Sequence, residues 1–241
     1  YAKYICAIES GLSSDPAMSW RNSRLDHTAI ISNSDSHSLQ RIGREANVFN
    51  CELSYAAIVN AIKSHDPQKF LFTAEFFPEE GKYHYDGHAS HKLRMSPAET
   101  KAAKGRCPTC GKPVTVGVMN RVEALADRPA GEKPAGAIPF RNMIPLDEII
   151  GEAFGVGVSS KKVKEEYMRL VREVGPEFFL LFDAPLADLK AATVQQVAEG
   201  ISRVREGRVS IEPGYDGEYG KIKIFNDEDR KNFEAAQTSL F

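Results

Sequence analysis

The fold is decided by a ten-residue stretch, Thr28-Ala-Ile-Ile-Ser-Asn-Ser-Asp-Ser-His37, in which an apolar run ends in a polar turn. The apolar half predicts a buried strand over residues 28–34. Asp35 and His37 come at its end, and side chains two apart on an extended chain point to the same side. A carboxylate beside an imidazole is a donor pair of hydrolytic metal centres. The stretch therefore predicts a strand that ends at a catalytic metal site, with a plain surface turn as the alternative.

The segments around this strand extend it into an α/β pattern. They predict two more strands and a helix, at residues 4–9, 69–77 and 54–64. Strands joined by a crossover helix pair in parallel, so their carboxyl ends meet at one edge of a sheet. Glu9, Asp35 and His37 all stand at such ends, which makes them the predicted catalytic residues and metal ligands.

A second chemical pattern joins two histidines to two cysteines. His88-x2-His91 is followed, after fifteen residues, by Cys107-x2-Cys110. Each pair is spaced to chelate one ion, and four such ligands describe a structural zinc site without a position for water. His84 lies in the same segment and is the alternative ligand.

The loop between the two pairs carries the signals of a short helix. Ser96-Pro-Ala-Glu99 is a capping box with proline at the first helical position, and Gly105 can end the helix. The cysteines follow in the sequence Cys107-Pro-Thr-Cys-Gly-Lys112, which is typical of a zinc knuckle. The segment is therefore predicted to be a small zinc module.

From residue 121 onward the chain is predicted to be mainly helical. Apolar periodicities predict three helices, at residues 145–154, 160–174 and 194–204. Residues 209–214 and 221–225 predict a hairpin with an aromatic, glycine-rich tip. Tyr215, Tyr219 and Lys221 at this tip are candidate contacts to nucleic acid, with a plain turn as the alternative.

Composition limits the class of protein without defining the chemistry. With 241 residues, 42% of them apolar, the chain can form one large or two modest domains. It shows no secretory signal and no 18-residue apolar span, so we expect a cytoplasmic protein without a membrane partner. Its net charge is only −2, so any contact to nucleic acid must depend on local patches.

Five motifs occur in order between residue 1 and about residue 225: Glu9-Ser-Gly-Leu-Ser-Ser-Asp-Pro16, Ser32-Asn-Ser-Asp-Ser-His37, Glu75-Phe-Phe-Pro-Glu-Glu-Gly-Lys-Tyr-His-Tyr-Asp-Gly-His88, Ala124-Leu-Ala-Asp-Arg-Pro129 and Glu212-Pro-Gly-Tyr-Asp-Gly-Glu-Tyr-Gly-Lys221. Together they resemble the endonuclease Q family of PHP-domain phosphoesterases. The resemblance implies a metal-dependent DNA repair endonuclease that cuts 5′ of deaminated bases, such as uracil or hypoxanthine, or of an abasic site.

The resemblance also implies an architecture. Residues 1–78 would be the carboxyl-terminal part of a PHP-type distorted (β/α)7 barrel, and residues 79–120 the zinc-binding module. A helical region with the hairpin would follow over residues 121–230, and a flexible tail over 231–241. Because the chain has no initiator Met and no amino-terminal His-x-His, we expect an N-terminally incomplete fragment that is inactive alone.

Site roles follow from the same resemblance. Asp35 and His37 match the last metal-binding Asp-x-His of the PHP pattern and Glu9 matches an acidic position, with zinc, manganese or magnesium as the bound ions. The predicted contacts to damaged DNA are Lys82, Tyr83, His84, Tyr85, Arg44, Tyr215, Tyr219 and Lys221.

The last five residues, Gln237-Thr-Ser-Leu-Phe241, resemble a peptide by which bacterial replication and repair proteins dock on the sliding clamp. Gln237, Leu240 and Phe241 are the predicted contacts, and a frayed tail is the alternative. Two other functions stay open at this point. One is a PHP phosphatase of a small phosphate ester, and the other is a non-catalytic, zinc-containing DNA-binding adaptor.

Overall fold

A computed structural model describes residues 4–229 and residue 233. The predicted clamp peptide, with Gln237, Leu240 and Phe241, lies outside the described residues. The chain divides into two compact units, of which the first comprises residues 1–141 and 212–221 and the second comprises residues 142–211 and 222–241. Within the described part of the chain, every helix is too short or too polar to cross a membrane. The boundaries predicted at residues 78 and 120 stay predictions.

The described residues contain short strands and helices. The strands are β1 (Ala7–Glu9), β2 (Ala29–Ile31), β3 (Ala46–Phe49), β4 (Phe70–Glu75), β5 (Asp86–His88), β6 (Leu93–Met95), β7 (Phe140–Asn142), β8 (Ser210–Glu212) and β9 (Lys221–Lys223). The helices are α1 (Pro16–Trp20), α2 (Tyr55–Ser64), α3 (Pro97–Ala102), α4 (Val118–Leu125), α5 (Leu146–Phe154), α6 (Lys161–Glu173), α7 (Leu186–Ala192) and α8 (Gln195–Arg205). A mixed α/β class is confirmed, whereas a closed barrel stays a prediction.

The first two strands pair as the sequence predicts. β1 and β2 are parallel, with Glu9 opposite Ile31, so both strands end at the same edge. The predicted parallel pairing across helix α2 is wrong. β4 instead pairs antiparallel with β3, and β7 completes this three-stranded sheet. The sequence analysis missed β3 because its four residues are all half-buried and show no alternation between two faces.

The reversal between β3 and β4 follows from local signals at the two ends of helix α2. Ser54 caps the amino terminus, its Oγ accepting a hydrogen bond from the Ala57 amide at 3.3 Å. His65 ends the helix in the left-handed region at φ 52°. The Lys69 amide then donates to the Asp66 carbonyl at 2.9 Å, closing a tight turn into β4. A single helix and one turn therefore return the chain antiparallel to β3.

The second unit is built on the three helices that the sequence predicts. Ser160 caps α6, its Oγ accepting from the Val163 amide at 3.3 Å. Helices α5 and α8 pack through side chains that are fully buried: Leu146, Ile149, Ile150, Val197 and Ile201. Gly200 in α8 allows this close approach, because a Cβ added there would lie 2.8 Å from Ile149 Cγ2 and 3.3 Å from Phe225 Cζ.

Replacing Gly200 with alanine should therefore destabilise the second unit. Alanine favours a helix over glycine by about 1 kcal/mol, but overpacking this contact costs about 1–3 kcal/mol. Urea unfolding of Gly200→Ala should show a lower midpoint than the wild type. Gly157→Ala is the matched control, because a Cβ at Gly157 meets nothing within 4 Å. A Gly200→Ala protein more stable than the wild type would contradict the α5–α8 packing.

Candidate functional site

The predicted zinc module forms as a compact segment of the first unit. Strand β5 ends in His88, a short turn over Ala89–His91 follows, and β6 returns antiparallel to β5. Helix α3 has the predicted capping box, in which Ser96 Oγ accepts from the Glu99 amide at 3.3 Å and Glu99 Oε2 accepts from the Ser96 amide at 2.7 Å. A small core of Met95, Cys107 and Val114 lies beneath these elements.

The knuckle brings the cysteine pair back to the histidine pair. Gly105 takes φ 70°, and its amide donates to the Thr100 carbonyl at 2.8 Å, which ends α3 as predicted. Gly111, at φ 71°, allows the tight turn after Cys110. The Cys107 amide then donates to the Lys112 carbonyl at 2.8 Å. This turn fixes the positions of both sulfur atoms.

Four predicted ligands converge in this module: His88, His91, Cys107 and Cys110. Their ligand atoms all lie within 4.8 Å of one another. The two Nδ1 atoms of His88 and His91 are 3.2 Å apart. Each sulfur lies 3.5 Å from one of these nitrogens, Cys107 Sγ from His91 and Cys110 Sγ from His88.

These separations fit a tetrahedral ion. With metal–nitrogen bonds of about 2.05 Å and metal–sulfur bonds of about 2.3 Å, tetrahedral angles give about 3.3 Å between two nitrogens and about 3.6 Å between nitrogen and sulfur. The observed spacings agree with both values. The four residues therefore form a candidate metal centre with no position left for water.

The thiol of Cys107 is prepared to act as a ligand. Burial acts to raise its pKa, but hydrogen bonding with His88 and from the backbone amides of Cys110 and Thr109 outweighs burial and lowers the pKa to about 6. A thiolate is the form that binds a metal ion. The knuckle thus favours the metal-binding state of the sulfur through its own backbone.

His84, the alternative ligand, is placed elsewhere. His84 is only 4% exposed, and its ring stacks on the ring of Tyr85 with 5.3 Å between the centroids. Burial lowers the pKa of His84 to about 4, so the ring is neutral. The structure therefore favours His88 and His91 as the two histidine ligands.

Loss of one thiolate should abolish tight metal binding. The purified wild-type chain should carry close to one equivalent of divalent metal in this module, and Cys110→Ser should carry much less, because three ligands hold the ion far more weakly than four. His84→Leu is the control, since it removes the alternative histidine and puts an apolar side chain of similar size in this buried position. Metal analysis by mass spectrometry decides the question. Metal loss from His84→Leu together with retention in Cys110→Ser would contradict this centre.

Glu9, Asp35 and His37 lie near the ends of the two parallel strands, and all three are exposed. β2 ends at Ile31, so the extended geometry expected through residue 37 is wrong. Asp35 takes φ 45°, and its carbonyl lies 2.8 Å from His37 Nδ1, so the turn folds back on itself. Within residues 4–229 and 233 these three do not form a group able to hold a metal ion, in contrast to the four ligands of the module.

Two buried carboxyl groups, which the sequence analysis missed, lie beside this edge. Glu75 ends β4 and is fully buried, while Glu45 precedes β3 and is 3% exposed. Glu75 Oε2 accepts hydrogen bonds from Ser32 Oγ at 2.9 Å and Ser10 Oγ at 3.3 Å, so it connects the ends of β1, β2 and β4. The motif that begins at Glu75 had marked the segment, but nothing local in it indicates a buried acid.

Burial is the main cause of a raised pKa for both carboxyl groups, to about 7 in each case. Nearby negative charges add to the effect of burial. The carboxylate of Glu45 raises the pKa of Glu75, and that of Glu9 raises the pKa of Glu45. The two groups therefore hold protons near neutral pH that a solvated glutamate would release.

Stability should fall as the pH rises across this range. The folded chain keeps protons that the unfolded chain loses above about pH 4.5, so the contribution of these groups is full at low pH and is lost as the pH rises through about 7. Glu75→Gln should remove part of this loss, about 1–3 kcal/mol between pH 5 and pH 8, because each pKa unit corresponds to about 1.4 kcal/mol. Thermal unfolding at the two pH values measures the effect. The exposed Glu52→Gln is the control, and an identical pH dependence in all three proteins would contradict the raised pKa values.

The hairpin tip packs against the segment that leads into the metal module. The Tyr85 amide donates to the Gly214 carbonyl at 2.9 Å, and the Gly217 amide donates to the Lys82 carbonyl at 2.9 Å. The approach is so close that a Cβ at Gly220 would lie 2.0 Å from the Glu79 carbonyl oxygen. The predicted DNA contacts at residues 82–85 and those at residues 215–221 are thereby brought together.

The members of that set have different environments. Tyr83 and Tyr219 are exposed, by 48% and 71%, and Lys82 Nζ lies 5.3 Å from the centre of the Tyr219 ring. Lys221 is also exposed. His84 is buried, so its predicted contact to DNA is not available in this conformation. Arg44 is half-buried, with its guanidinium 4.5 Å from the centre of the Phe76 ring.

A groove of about 450 Å³ runs along the hairpin. Its lining includes Tyr215, Tyr219 and Lys221 and two basic residues that the sequence analysis missed, Lys92 and Arg94. The carboxylates of Glu212 and Glu218 also lie along it. The Arg94 guanidinium donates to the Pro213 carbonyl at 3.2 Å, which holds it at the groove. Both basic residues lie within three positions of His91 in sequence, and this proximity was the available signal. Exposed aromatic rings beside basic side chains suit a nucleic-acid backbone and its bases.

Comparison with known proteins finds one matching family model and two similar proteins. A family model described as the MJ0043 C-terminal domain matches residues 145–208. The uncharacterized protein MJ0043 of Methanocaldococcus jannaschii is 33% identical over 225 residues, which are 90% of this chain and 28% of that protein. The uncharacterized protein YqxK of Bacillus subtilis is 30% identical over 221 residues, which are 91% of this chain and 53% of that protein.

Two solved structures share the fold. The lesion-specific endonuclease PfuEndoQ from Pyrococcus furiosus is 32% identical with a TM-score of 0.81, over 93% of this chain and 57% of that chain. Endonuclease Q in complex with a 27-mer duplex substrate that has an abasic lesion at the active site is 32% identical with a TM-score of 0.76, over 91% of this chain and 55% of that chain.

By fold, the chain is thus related to lesion-specific endonucleases. Both structures confirm the resemblance to endonuclease Q that the five sequence motifs indicated. The chain spans about half the length of these solved structures and of YqxK, and a smaller part of MJ0043.

Proposed function

We propose that the chain is part of a metal-dependent DNA repair endonuclease that cuts 5′ of deaminated bases, such as uracil and hypoxanthine, or of abasic sites. One observation carries the proposal. More than nine-tenths of the chain shares its structure, at 32% identity, with an endonuclease Q that holds a duplex with an abasic lesion at its active site. The groove with exposed tyrosine and basic side chains gives independent support.

In this proposal, residues 1–78 contribute the carboxyl-terminal strands of a PHP-type barrel. Glu9, Asp35 and His37 then face the catalytic site from the ends of β1 and β2. They do not complete a ligand set among the described residues. The proposal therefore assigns the remaining ligands to the half of the relatives that this chain does not cover.

Divalent ions at such a site lower the pKa of a bound water and neutralise charge that develops on the phosphate. The protein residues have simpler tasks. Asp35 offers a carboxylate to an ion and to the attacking water, and His37 offers a neutral imidazole nitrogen. Nδ1 of His37 contacts the Asp35 carbonyl, which leaves Nε2 as the ring nitrogen that can bind an ion.

The module at His88, His91, Cys107 and Cys110 is proposed to hold one structural zinc ion. Two thiolates and two imidazoles are a typical closed zinc set, and the spacings fit its tetrahedron. Its role is to fix the turn beside the groove. We propose no catalytic step for this ion.

DNA contact is proposed for the exposed members of the predicted set, which are Lys82, Tyr83, Tyr219 and Lys221, together with Lys92 and Arg94. Aromatic rings accept any unstacked base on their faces, and the basic groups neutralise phosphates. A deaminated or abasic nucleotide leaves the helix at low energetic cost because its pairing is already weak. Docking on a sliding clamp through Gln237, Leu240 and Phe241 stays a prediction from sequence alone.

Cleavage of a defined lesion tests the proposal. A protein that joins this chain to the portion of PfuEndoQ that it does not cover is incubated with Mg²⁺ or Mn²⁺ and an end-labelled duplex containing one deoxyuridine. We expect a single cut 5′ of the lesion, with no cut in the matched undamaged duplex. Asp35→Ala and His37→Ala should each reduce the rate at least 100-fold, because each removes a donor to the catalytic ions.

The matched control is Glu52→Gln, which changes an exposed carboxylate that is not among the proposed ligands. A cut that persists in Asp35→Ala and His37→Ala would contradict the assigned roles. Hydrolysis of a small phosphate ester without cleavage of DNA would favour a phosphatase. Binding of lesion DNA without any hydrolysis would favour an adaptor.

A further inference from the structure

The hairpin and the metal module are connected by one carboxylate, that of Asp216. Its Oδ2 accepts a hydrogen bond from the Ala89 amide at 2.6 Å, and its Oδ1 accepts from Thr115 Oγ1. Ala89 directly follows the ligand His88 and begins the turn that carries the ligand His91. Asp216 therefore holds the backbone between two metal ligands although it lies 127 residues away from Ala89 in sequence.

The conformation of Asp216 shows that this contact is built into the hairpin. Asp216 takes φ 43°, in the left-handed region, where aspartate and asparagine are enriched among the residues other than glycine. Burial acts to raise its pKa, but the hydrogen bonds from Thr115 and Ala89 and the nearby His88 lower the pKa below its ordinary value. The group is thus a carboxylate that makes its two contacts in the charged form.

The same hairpin forms one wall of the groove. Tyr215 precedes Asp216, and its ring packs on Gly87, where a Cβ would lie 2.4 Å from Tyr215 Cδ2. Tyr219 and Lys221 follow on the exposed side. A shift of the Ala89 turn would therefore move both sides of the groove, because Lys92 and Arg94 follow that turn directly.

We propose that Asp216 is a positioning residue that couples occupancy of the metal centre to the conformation of the hairpin, so that the groove is set only when the four ligands hold an ion. The coupling follows from the contacts of the described residues, whereas its use in DNA binding rests on the proposed function. Coupling of this kind is reciprocal, so the hairpin contact must also strengthen metal retention. Partners beyond the direct ligands commonly change metal affinity by about 10–100-fold.

Metal release gives the first test, on the complete chain loaded with Zn²⁺. A colorimetric chelator in excess measures the rate of release. Asp216→Ala should release the ion about 10–100-fold faster than the wild type. Asp216→Asn should be intermediate, because its amide oxygen can still accept from Ala89 but lacks the charge near His88.

Hydrogen exchange gives the second test, at the amides that hold the hairpin. Removal of the ion from the wild type should speed exchange of the Gly217 and Ala89 amides at least tenfold. In Asp216→Ala these amides should already exchange fast with the ion bound, and removal of the ion should add little. The amides of α8, in the second unit, report whether the chain stays folded.

Two variants keep the result interpretable. Glu218→Ala removes an exposed carboxylate of the same hairpin and should match the wild type in both measurements. Thr115→Val removes one of the two contacts without changing the hairpin and should speed release several-fold. Equal release rates in Asp216→Ala and Glu218→Ala, or hairpin exchange that does not respond to the ion, would overturn the coupling. If the coupling is present but Asp216→Ala binds an abasic duplex as tightly as the wild type, the coupling stands and the assignment of the groove to DNA fails.

Discussion

The crowding of two sulfur and two nitrogen donors within 4.8 Å is the constraint on which the first unit depends. The two imidazole Nδ1 atoms lie only 3.2 Å apart, and a cation at the centre would offset the repulsion between charged sulfur ligands, so the arrangement suits a bound metal ion. The capping box of α3, the left-handed Gly105 and the knuckle amides all serve to bring the donors to that distance. The positions of Lys92 and Arg94 follow, because both lie within three residues of the ligand His91.

A different kind of polar group lies beneath the strand ends. Glu75 is buried, and two serine hydroxyls from neighbouring strands hold its carboxyl group. An uncharged carboxyl group can take this position at moderate free-energy cost, whereas a charged one would need compensation. The strands are thus joined at their ends by side chains, which suits short strands of three residues that share few backbone hydrogen bonds.

Local signals made much of the structure predictable, and long-range contacts account for the rest. The helices at 55–64, 146–154 and 161–173 and the knuckle follow from caps, apolar periodicity and glycine positions within a few residues of each element. Asp216 and the acids Glu45 and Glu75 have no such signal, because their partners lie tens of residues away. The predicted geometry at Asp35 was wrong for a related reason. Extended alternation was assumed up to His37, but β2 ends at Ile31 and the turn closes on its own carbonyl.

The separation of residues 212–221 from the rest of the first unit in sequence has a consequence for the order of folding. During synthesis, residues 142–211 of the second unit emerge from the ribosome before the hairpin that completes the first unit. The turn that carries His88 and His91 therefore stays without the carboxylate of Asp216 while some seventy residues are added. At ordinary elongation rates of about 5–20 residues per second, this takes several seconds. The first unit to begin folding is consequently the last to be finished, and a nascent chain released early would lack the wall of its own groove.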